Sequence, residues 1–183
     1  MRVLHVGKFW PPYAGGIERA MHGLCAGLAA EGQQVDVLAH ADPGQWRGQT
    51  FSDHGIGVHL VGCAGQVAYT PMSPSFAPTL ARLLRQRQPQ LLHLHMPNPA
   101  VFWALLLPSA RRLPWVVHWH ADIPLREAPL AVRMAYPFYQ PWQRALLTRA
   151  HRIIATSPHY RDASVPLAPW RDKTRVIPLS LAA

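Results

Sequence analysis

Two pairs of histidines stand out in this sequence because each pair has the spacing of side chains that share one face of a strand. His93 and His95 form the first pair, His118 and His120 form the second, and Asp122 follows two residues later. Four imidazoles with a nearby carboxylate have the composition of a metal site, so one hypothesis is a metal-dependent hydrolase. The alternative is that these histidines only form hydrogen bonds within a buried sheet. The small number of acidic residues, nine in all, favours that alternative.

A second candidate site lies in the turn after the first predicted strand. Gly15 and Gly16 follow a rigid Pro-Pro pair and precede a helical pattern. Backbone amides at a helix N-terminus attract anions such as phosphate, although a Gly-Gly pair can also simply make a tight turn. Lys8 is a weaker phosphate-binding candidate, and Glu18 fits the first helical turn, where a carboxylate favours the helix dipole. The segment matches neither the dinucleotide nor the P-loop spacing.

Short apolar runs alternate with helical patterns, and they predict the elements that position these residues. Strands are predicted at residues 3–6, 35–39, 58–61, 91–95, 116–120, 153–156 and 176–177. Most of these runs lack polar alternation, as parallel strands covered on both faces do. An apolar stripe of Ile17, Met21, Leu24 and Leu28 predicts the first helix, which Gly32 ends. The alternation predicts an α/β fold, a Rossmann-like, doubly wound, mainly parallel sheet in three α/β/α layers.

The remaining segments are less regular. Helices are predicted at residues 78–87 and 99–112. Residues 66–78 contain three prolines and show no hydrophobic period, so they predict a long loop. Residues 124–141 carry four prolines within an otherwise helical pattern.

Composition narrows the function classes. With 183 residues, 49% of them hydrophobic, the chain is long enough for one globular domain. Its 18 basic and 9 acidic residues give a net charge of +9, which favours anionic partners. A basic binding domain without catalysis is therefore a third alternative, but the sequence has no recognisable nucleic-acid-binding motif.

Cysteine use and the absence of targeting signals bear on the compartment. Cys25 and Cys63 lack metal-ligand spacing and are expected to be buried thiols in a reducing environment. The sequence opens on a strand pattern rather than a secretion signal. No apolar run approaches the roughly 18 residues of a membrane span. We therefore expect a cytoplasmic protein.

Five motifs in sequence order resemble those of family 4 glycosyltransferases, and together they cover nearly the whole chain. Residues 9–18, F-W-P-P-Y-A-G-G-I-E, resemble the P-P-x-x-G-G-x-E loop of that family. Residues 91–99, 116–123, 150–160 and 172–179 are similar to its D-x-x-H-x-H-x-P, T-x-H-x-D, A-D-x-I-I-A-x-S and K-x-x-V-I-P-x-G segments. Their details are closest to bacterial mannosyl- and related transferases of surface-polysaccharide assembly.

The resemblance implies that residues 1–183 form the N-terminal, acceptor-side domain of a two-domain GT-B enzyme. Such an enzyme transfers a hexosyl unit, for which mannose is one candidate, from a nucleotide sugar to a lipid-linked or polysaccharide acceptor. It retains the anomeric configuration and needs no metal or other cofactor. The family's donor motifs, a basic pair and E-x7-E, are not in this sequence. We therefore expect the nucleotide-sugar-binding domain to be absent and the chain alone to be inactive.

The resemblance also assigns roles by position. Gly15 and Gly16 would approach the donor diphosphate through their amides, with Lys8 as a further contact. His120 would hydrogen-bond the transferred sugar or the diphosphate near the reacting carbon. Asp122, at the same strand end, would orient His120 or the acceptor. Two positions depart from the family pattern, His151 and Ser180, where Asp and Gly are usual.

A last expectation concerns an anionic membrane surface on the inner face of the cytoplasmic membrane. Five apolar residues recur four apart in one predicted helix: Leu130, Met134, Phe138, Trp142 and Leu146. With Arg126 and Arg133 among the arginines nearby, this side of the helix suits a membrane interface or a lipid-linked acceptor. Trp142 and, from the loop 66–78, Tyr69, Met72 and Phe76 are further contacts expected there. The alternative is an ordinary crossover helix that packs on the sheet.

Overall fold

The strands of the computed structural model, which describes residues 1–178, fall at nearly all predicted positions. They are β1 (Arg2–Val6), β2 (Gln34–His40), β3 (Gln49–Asp53), β4 (Ile56–Val61), β5 (Gln66–Val67), β6 (Thr70–Pro71), β7 (Leu91–Met96), β8 (Trp115–Trp119), β9 (Arg152–Ala155) and β10 (Thr174–Val176). Eight of them form one sheet in the order β10-β9-β8-β7-β1-β2-β4-β3. Every neighbouring pair is parallel except β3 with β4. The mainly parallel sheet is thus confirmed.

Helices cover both faces of this sheet. They are α1 (Gly16–Ala30), α2 (Phe76–Arg87), α3 (Trp103–Leu106), α4 (Pro108–Arg111), α5 (Leu130–Arg149) and α6 (Pro158–Ala163), with 3-10 helices at Pro99–Phe102 and Ala168–Lys173. On one face α1 packs through Met21 and Cys25 against β2 and β4. On the other, α2 to α5 pack against β1, β7, β8 and β9. This is the doubly wound arrangement that the alternation predicts.

The direction of winding reverses between β1 and β7, which are neighbours in the sheet. The chain proceeds from β1 to β2 on one side and from β7 through β8 and β9 to β10 on the other. In open α/β sheets the crevice beyond the carboxyl ends of the strands at such a switch point is the usual ligand site. The segments that leave β1, β7 and β8 meet there, and they carry Lys8, Asn98 and Asp122.

The first helix largely follows its prediction. Met21 is buried, while Ile17, Leu24 and Leu28 are half-buried along its flank. Gly32 has a φ of +75° just beyond the helix, the left-handed conformation that favours glycine at a helix end. Both cysteines are buried free thiols, as expected from their spacing.

The prediction of one helix at residues 99–112 is wrong. The segment divides into the 3-10 helix Pro99–Phe102 and the short helices α3 and α4. Pro108 causes the second break, because it lacks an amide hydrogen and restricts the residue before it. Leu107 accordingly has an extended backbone, with φ −90° and ψ 115°.

The loop at residues 66–78 and the sheet edge also differ from prediction. β5 and β6 form a small hairpin whose turn residues, Ala68 and Tyr69, have φ of 49° and 62°. Such turns favour Asn and Gly, so Ala-Tyr gives no sequence signal for one. α2 begins two residues earlier than predicted, because Pro78 is tolerated in a first helical turn. β3 was not predicted, since it is an antiparallel edge strand whose residues are mostly exposed.

α5 is a continuous helix of 20 residues despite Pro137 and Pro141 inside it. Of the described residues, 1–178, none lies in a helix with both the length and the apolar character needed to cross a membrane. At the other end of the chain, β10 begins and ends slightly before the predicted strand at 176–177. Ser180 lies outside the described residues.

Candidate active site at the carboxyl edge of the sheet

Asn98 ties together the two strands at the switch point. It follows β7, is fully buried, and its Nδ2 donates to the carbonyl of Gly7 at the end of β1, at 2.9 Å. Its Oδ1 accepts from the amide of Ala100 at 3.2 Å and so caps the 3-10 helix. Burial of an amide with both functions satisfied holds this edge rigid. Asn98 was not among the residues predicted from the sequence, and its place directly after a predicted strand was the available signal.

A cavity of about 210 Å³ opens at this edge. Three residues that the sequence singled out line it, Lys8, Tyr69 and Asp122. Its remaining walls are mostly apolar and aromatic, with Tyr136 and Tyr139 contributed by α5. Gly15, Gly16 and His120 are not among the lining residues. The structure therefore brings together only part of the predicted site.

Two polar groups of the cavity are shielded from water, the Tyr139 hydroxyl fully and the Lys8 side chain in part. The Tyr139 hydroxyl is enclosed and has no hydrogen-bond partner among residues 1–178. Burial raises the pKa of this phenol, which therefore remains protonated and can donate a hydrogen bond. Burial also lowers the pKa of Lys8, while the charge of Glu18 opposes that shift. A ligand oxygen could pair with Lys8, whereas the enclosed Tyr139 hydroxyl would become available only if its surroundings move.

Asp122 is held by three donors and does not hydrogen-bond His120. Its Oδ1 accepts from Trp119 Nε1 at 2.7 Å, from the Tyr160 hydroxyl at 2.8 Å and from the Ser164 hydroxyl at 2.8 Å. Burial, together with this carboxylate, raises the pKa of Tyr160. The expectation that Asp122 orients His120 has no support in these contacts. Its observed role is to fix the end of β8 against the segment around α6.

The start of α1 is already occupied by a carboxylate. Gly15 precedes the helix with an extended backbone, and a Cβ at this position would collide with the carboxylate of Glu18. Glu18 thus folds back over Gly15, and burial raises its pKa. Gly16 is exposed, with open space where a Cβ would be. In this structure the carboxylate of Glu18 is therefore the group that lies at the positive N-terminal end of the helix.

The histidine pairs form part of a larger histidine cluster. Five imidazoles from three adjacent strands share one face of the sheet: His5, His93, His95, His118 and His120. Neighbouring ring centroids lie 4.1–5.5 Å apart with nearly parallel planes. His5 was missed because sequence alone does not show that its strand lies beside β7. Its register partner there is His93.

Two hydrogen bonds run through the cluster. His5 Nδ1 lies 3.0 Å from His95 Nε2, and His95 Nδ1 lies 2.9 Å from His120 Nε2. Burial lowers the pKa of His5 and of His120 to about 3, and that of His118 to about 4. All of these rings are therefore neutral at neutral pH, so each carries one N–H.

The cluster also meets the distance requirement for metal ligands. Two groups of three, His5 with His93 and His95, and His95 with His118 and His120, bring one ring nitrogen each within 4.8 Å of the others. A tetrahedral zinc with bonds of about 2.0–2.1 Å would separate two ligand nitrogens by roughly 3.3 Å. The 2.9 and 3.0 Å contacts are shorter and join nitrogens of adjacent rings directly. This geometry fits hydrogen bonding better than metal coordination.

The predicted membrane-contact residues lie along α5 and beside it. Arg126 and Arg133 are exposed near its start. Four of the five strip residues are exposed, by 43–79%, and we call them the apolar strip: Leu130, Met134, Phe138 and Trp142. The fifth, Leu146, is fully buried, so the helix packs on the sheet only through its C-terminal half and a few earlier residues. Trp142 also lines an apolar groove of about 230 Å³ with Trp103 and Leu106. Of the three loop residues, Tyr69 and Met72 are exposed. The expectation that Phe76 is exposed is wrong, because Phe76 begins α2 and packs into the larger core.

Comparison with known proteins gives one consistent result. Residues 15–180 match the model of the glycosyl transferase 4-like domain. The chain is 32% identical to O-antigen chain mannosyltransferase C of Escherichia coli, over 99% of this chain and 46% of the relative. It is 30% identical to D-rhamnosyltransferase WbpZ of Pseudomonas aeruginosa, over 99% of this chain and 45% of the relative. The chain therefore spans about half the length of these curated relatives.

Solved structures show the same fold. Sucrose-phosphate synthase from Thermosynechococcus elongatus superposes with a TM-score of 0.64 at 19% identity, over 97% of this chain and 47% of that one. HepE of Anabaena, in complex with UDP and glucose, superposes with a TM-score of 0.61 at 17% identity, over 98% of this chain and 44% of that one.

Proposed function

Because the chain belongs to the glycosyl transferase 4-like domain family, we propose that it is the acceptor-side domain of an enzyme that transfers a hexosyl unit from a nucleotide sugar. The observation that carries this proposal is the cavity at the switch point. Lys8, Tyr69 and Asp122 come from distant parts of the chain and line one cavity there. Mannose is one candidate for the hexose, since one relative is named a mannosyltransferase and another a rhamnosyltransferase.

Family membership also decides between the alternatives from the sequence. The metal-dependent hydrolase and the basic binding domain both rested on features that a glycosyltransferase domain accommodates. The four paired histidines pack within the sheet, and the basic surface suits a diphosphate or a lipid phosphate. No contact in the described part of the chain requires a different class of reaction.

The donor would be held mainly by a second domain that faces this edge across a cleft. Support comes from the length of the curated relatives, of which the chain covers 46% and 45%. On this side, the amides of Gly15 and Gly16 and the ammonium of Lys8 would contact the diphosphate. The Glu18 carboxylate lies over Gly15, so it must turn away before a phosphate can reach these amides.

His120 is our candidate for the contact to the transferred sugar. It follows β8 directly and is half-buried at the cavity edge of the sheet. Its Nε2 is hydrogen-bonded to His95 and its Nδ1 is enclosed, so contact requires the ring or the groups around it to move. Asp122 would keep the strand end in place for that contact. Closure of a second domain over this edge would exclude water and align the two substrates.

The acceptor would enter the cavity between Lys8 and α5. The apolar walls suit the faces of a sugar ring, and the Tyr139 hydroxyl would donate a hydrogen bond once a movement of its surroundings exposes it. The surface next to the cavity favours a lipid-linked acceptor over a free glycan. There the apolar strip and the groove at Trp142 lie beside exposed arginines, an arrangement that suits an anionic membrane surface.

Co-sedimentation with liposomes tests the membrane contact. Binding should require anionic lipid, weaken with salt, and fall in the double variant Arg126→Glu/Arg133→Glu, because each basic residue near anionic lipid contributes about 1 kcal/mol. A matched control is Arg82→Glu/Arg85→Glu, which makes the same charge change on α2 and should bind like the wild type. Equal binding to neutral vesicles, or equal loss in both variants, would refute the contact.

A transfer assay on the complete protein tests the proposed reaction. We expect one hexose donor from a panel of GDP- and UDP-sugars to be consumed only when a lipid-diphosphate-linked glycan is present. The product should retain the anomeric configuration, and a chelator should not reduce the rate. Donor hydrolysis without any acceptor product, or a strict metal requirement, would refute the proposal.

A further inference from the structure

The histidine cluster contains more unpartnered polar atoms than any other part of the described chain. Five of its ring nitrogens are enclosed without a hydrogen-bond partner among residues 1–178: His5 Nε2, His93 Nε2, His118 Nδ1, His118 Nε2 and His120 Nδ1. An enclosed polar atom without a partner costs about 1–3 kcal/mol. The proposed function uses only His120, so the other four histidines call for an explanation.

The five rings fall into two groups by their contacts. His5, His95 and His120 are joined in series by the two hydrogen bonds, and we call them the ribbon. In each bonded pair the centroids are 5.4 or 5.2 Å apart while the nitrogens are 3.0 or 2.9 Å apart. The rings therefore meet edge to edge and not face to face. His93 and His118 stack against the ribbon but form no hydrogen bond to it.

Counting hydrogens restricts the ribbon to two states. Each neutral ring has one N–H, and each N···N contact needs one hydrogen and one lone pair. If His5 donates from Nδ1, His95 must accept at Nε2 and donate from Nδ1, and His120 must then carry its hydrogen on Nδ1. If the direction reverses, all three rings carry the hydrogen on Nε2. The three rings therefore always share the same tautomer.

We propose that His95 is a positioning residue for His120, and that the ribbon couples the tautomer of His120 to that of His5. The outer end of the ribbon, Nδ1 of His120, is then a donor in one state and an acceptor in the other, with no change in charge. The inner end, Nε2 of His5, changes in the opposite sense. This inference rests on the proposed function only in giving His120 a ligand to contact.

The ribbon gives a use to the imidazoles that neighbouring strands supply at these positions. A neutral imidazole has one donor and one acceptor on opposite sides of a rigid ring, so it can pass a hydrogen-bond direction onward. Burial holds the rings neutral, with the pKa of both end residues, His5 and His120, at about 3. A ligand oxygen at His120 would select the donor state, and a ligand hydroxyl donating to it would select the acceptor state.

The direct test is NMR of the ring nitrogens in chain labelled with ¹⁵N-histidine, at neutral pH and without metal. His5, His95 and His120 should show the same tautomer, or the same ratio of the two tautomers if they exchange. No variant is needed for this measurement. Different tautomers or unequal ratios among the three rings would overturn the proposal. Because no transfer activity is measured, this result is independent of whether the proposed function holds.

Two matched variants then test the coupling. His5→Leu should change the tautomer ratio of His120, although the only hydrogen-bonded path from residue 5 to residue 120 within residues 1–178 runs through His95. His93→Leu removes an equally buried ring that stacks on His5 and His95 without hydrogen-bonding them, so it should leave that ratio unchanged. Backbone amide spectra report whether each variant is folded. Equal changes in both variants, or no change in His5→Leu, would show that the three rings only pack together and that their tautomers are not coupled.

Zinc titration of the wild-type chain provides the remaining control. The proposal predicts that one equivalent of zinc leaves the ring resonances of the cluster unchanged. Stoichiometric zinc binding that shifts the signals of His95 together with His118 or His93 would make the cluster a metal site and overturn the ribbon.

Discussion

The two faces of the same three strands carry different chemistry. On one face β1, β7 and β8 present Leu4, Leu94 and Val117, which are fully buried in the larger core. On the opposite face the alternate residues of the same strands are the histidines of the cluster. Successive side chains of a strand point to opposite faces of the sheet, so the same three strands carry both the apolar residues and the histidines. The apolar face is fully buried, whereas the histidine face keeps several enclosed polar atoms that have no partner among residues 1–178.

This difference separates stability from function within one sheet. A close-packed apolar face gains free energy from burial in proportion to its area. Enclosed imidazoles cost free energy, so their presence beside the switch point indicates a use other than stability. If this is correct, equivalent changes on the two faces should have different consequences, and four perturbations test that from the largest effect to the smallest.

Acid should destabilise the protein most, and it should act through the histidine face. Burial lowers the pKa of His5 and His120 to about 3 and that of His118 to about 4. Unfolded histidines titrate near pH 6.5, so between about pH 6.5 and the folded values the unfolded state binds more protons. The contribution of these neutral rings to the free energy of unfolding is therefore fully present above about pH 6.5. Below that pH the free energy of unfolding falls as the pH falls, by up to about 1.4 kcal/mol per pH unit for each such histidine.

Urea denaturation at a series of pH values measures this effect. The midpoint should fall steeply between about pH 6 and pH 4. His118→Leu should make the slope shallower, since one titrating ring is removed. A midpoint that does not change over this range would mean that the rings are protonated or exposed in the folded protein.

Much of this face was predictable from the sequence, and the reasons for the rest are physical. The spacing of His93 with His95, and of His118 with His120, predicts that each pair shares a face. His5 could not be added, because the neighbour of a parallel strand depends on crossovers and not on local pattern. The apolar runs themselves predicted seven strands, while the exposed edge strand β3 gave no such signal.

The second largest effect is expected on the apolar face. Leu94→Ala should lower the free energy of unfolding by about 2–5 kcal/mol, through lost burial and a cavity between the sheet and its helices. Leu106→Ala makes the same change at a position that is 54% exposed and should cost less than about 0.5 kcal/mol. Equal losses in the two variants would show that the core is not packed as described.

His95→Leu should have an intermediate effect on stability. It leaves His5 Nδ1 and His120 Nε2 without these partners, which costs about 1–3 kcal/mol for each atom, and the apolar side chain that replaces the ring offsets much of this cost. His93→Leu breaks no hydrogen bond and should be closer to the wild type. Denaturation midpoints of the two variants compare them directly; a larger loss in His93→Leu would contradict the ribbon.

His118→Leu should have the smallest effect. Both nitrogens of this ring are enclosed and have no partner in the described part of the chain, so an apolar replacement removes two unfavourable atoms. The free energy of unfolding should stay within about 1 kcal/mol of the wild type or rise. A loss of unfolding free energy as large as that of Leu94→Ala would show that His118 forms stabilising hydrogen bonds, for example to bound water.

The site beyond the histidines was only partly predictable. Lys8, Tyr69 and Asp122 were singled out from local sequence, and they line one cavity. The partners of Asp122 could not be foreseen, because Tyr160 and Ser164 reach it from α6 and the residue that follows, across β9. Glu18 was expected only to favour the helix dipole, and its fold-back over Gly15 depends on burial that no local pattern shows.

The most direct test of the central claim is the rate of hexose transfer by the complete protein with His120→Ala beside His93→Leu. Both variants remove an imidazole from the histidine face, but only His120 is proposed to contact the transferred sugar. We predict that kcat/KM falls by about 100-fold or more in His120→Ala, as for loss of one polar contact at a reacting group. His93→Leu should stay within a few-fold of the wild type, with both variants folded by circular dichroism. Wild-type activity in His120→Ala, or equal losses in the two variants, would contradict a site at this edge of the sheet.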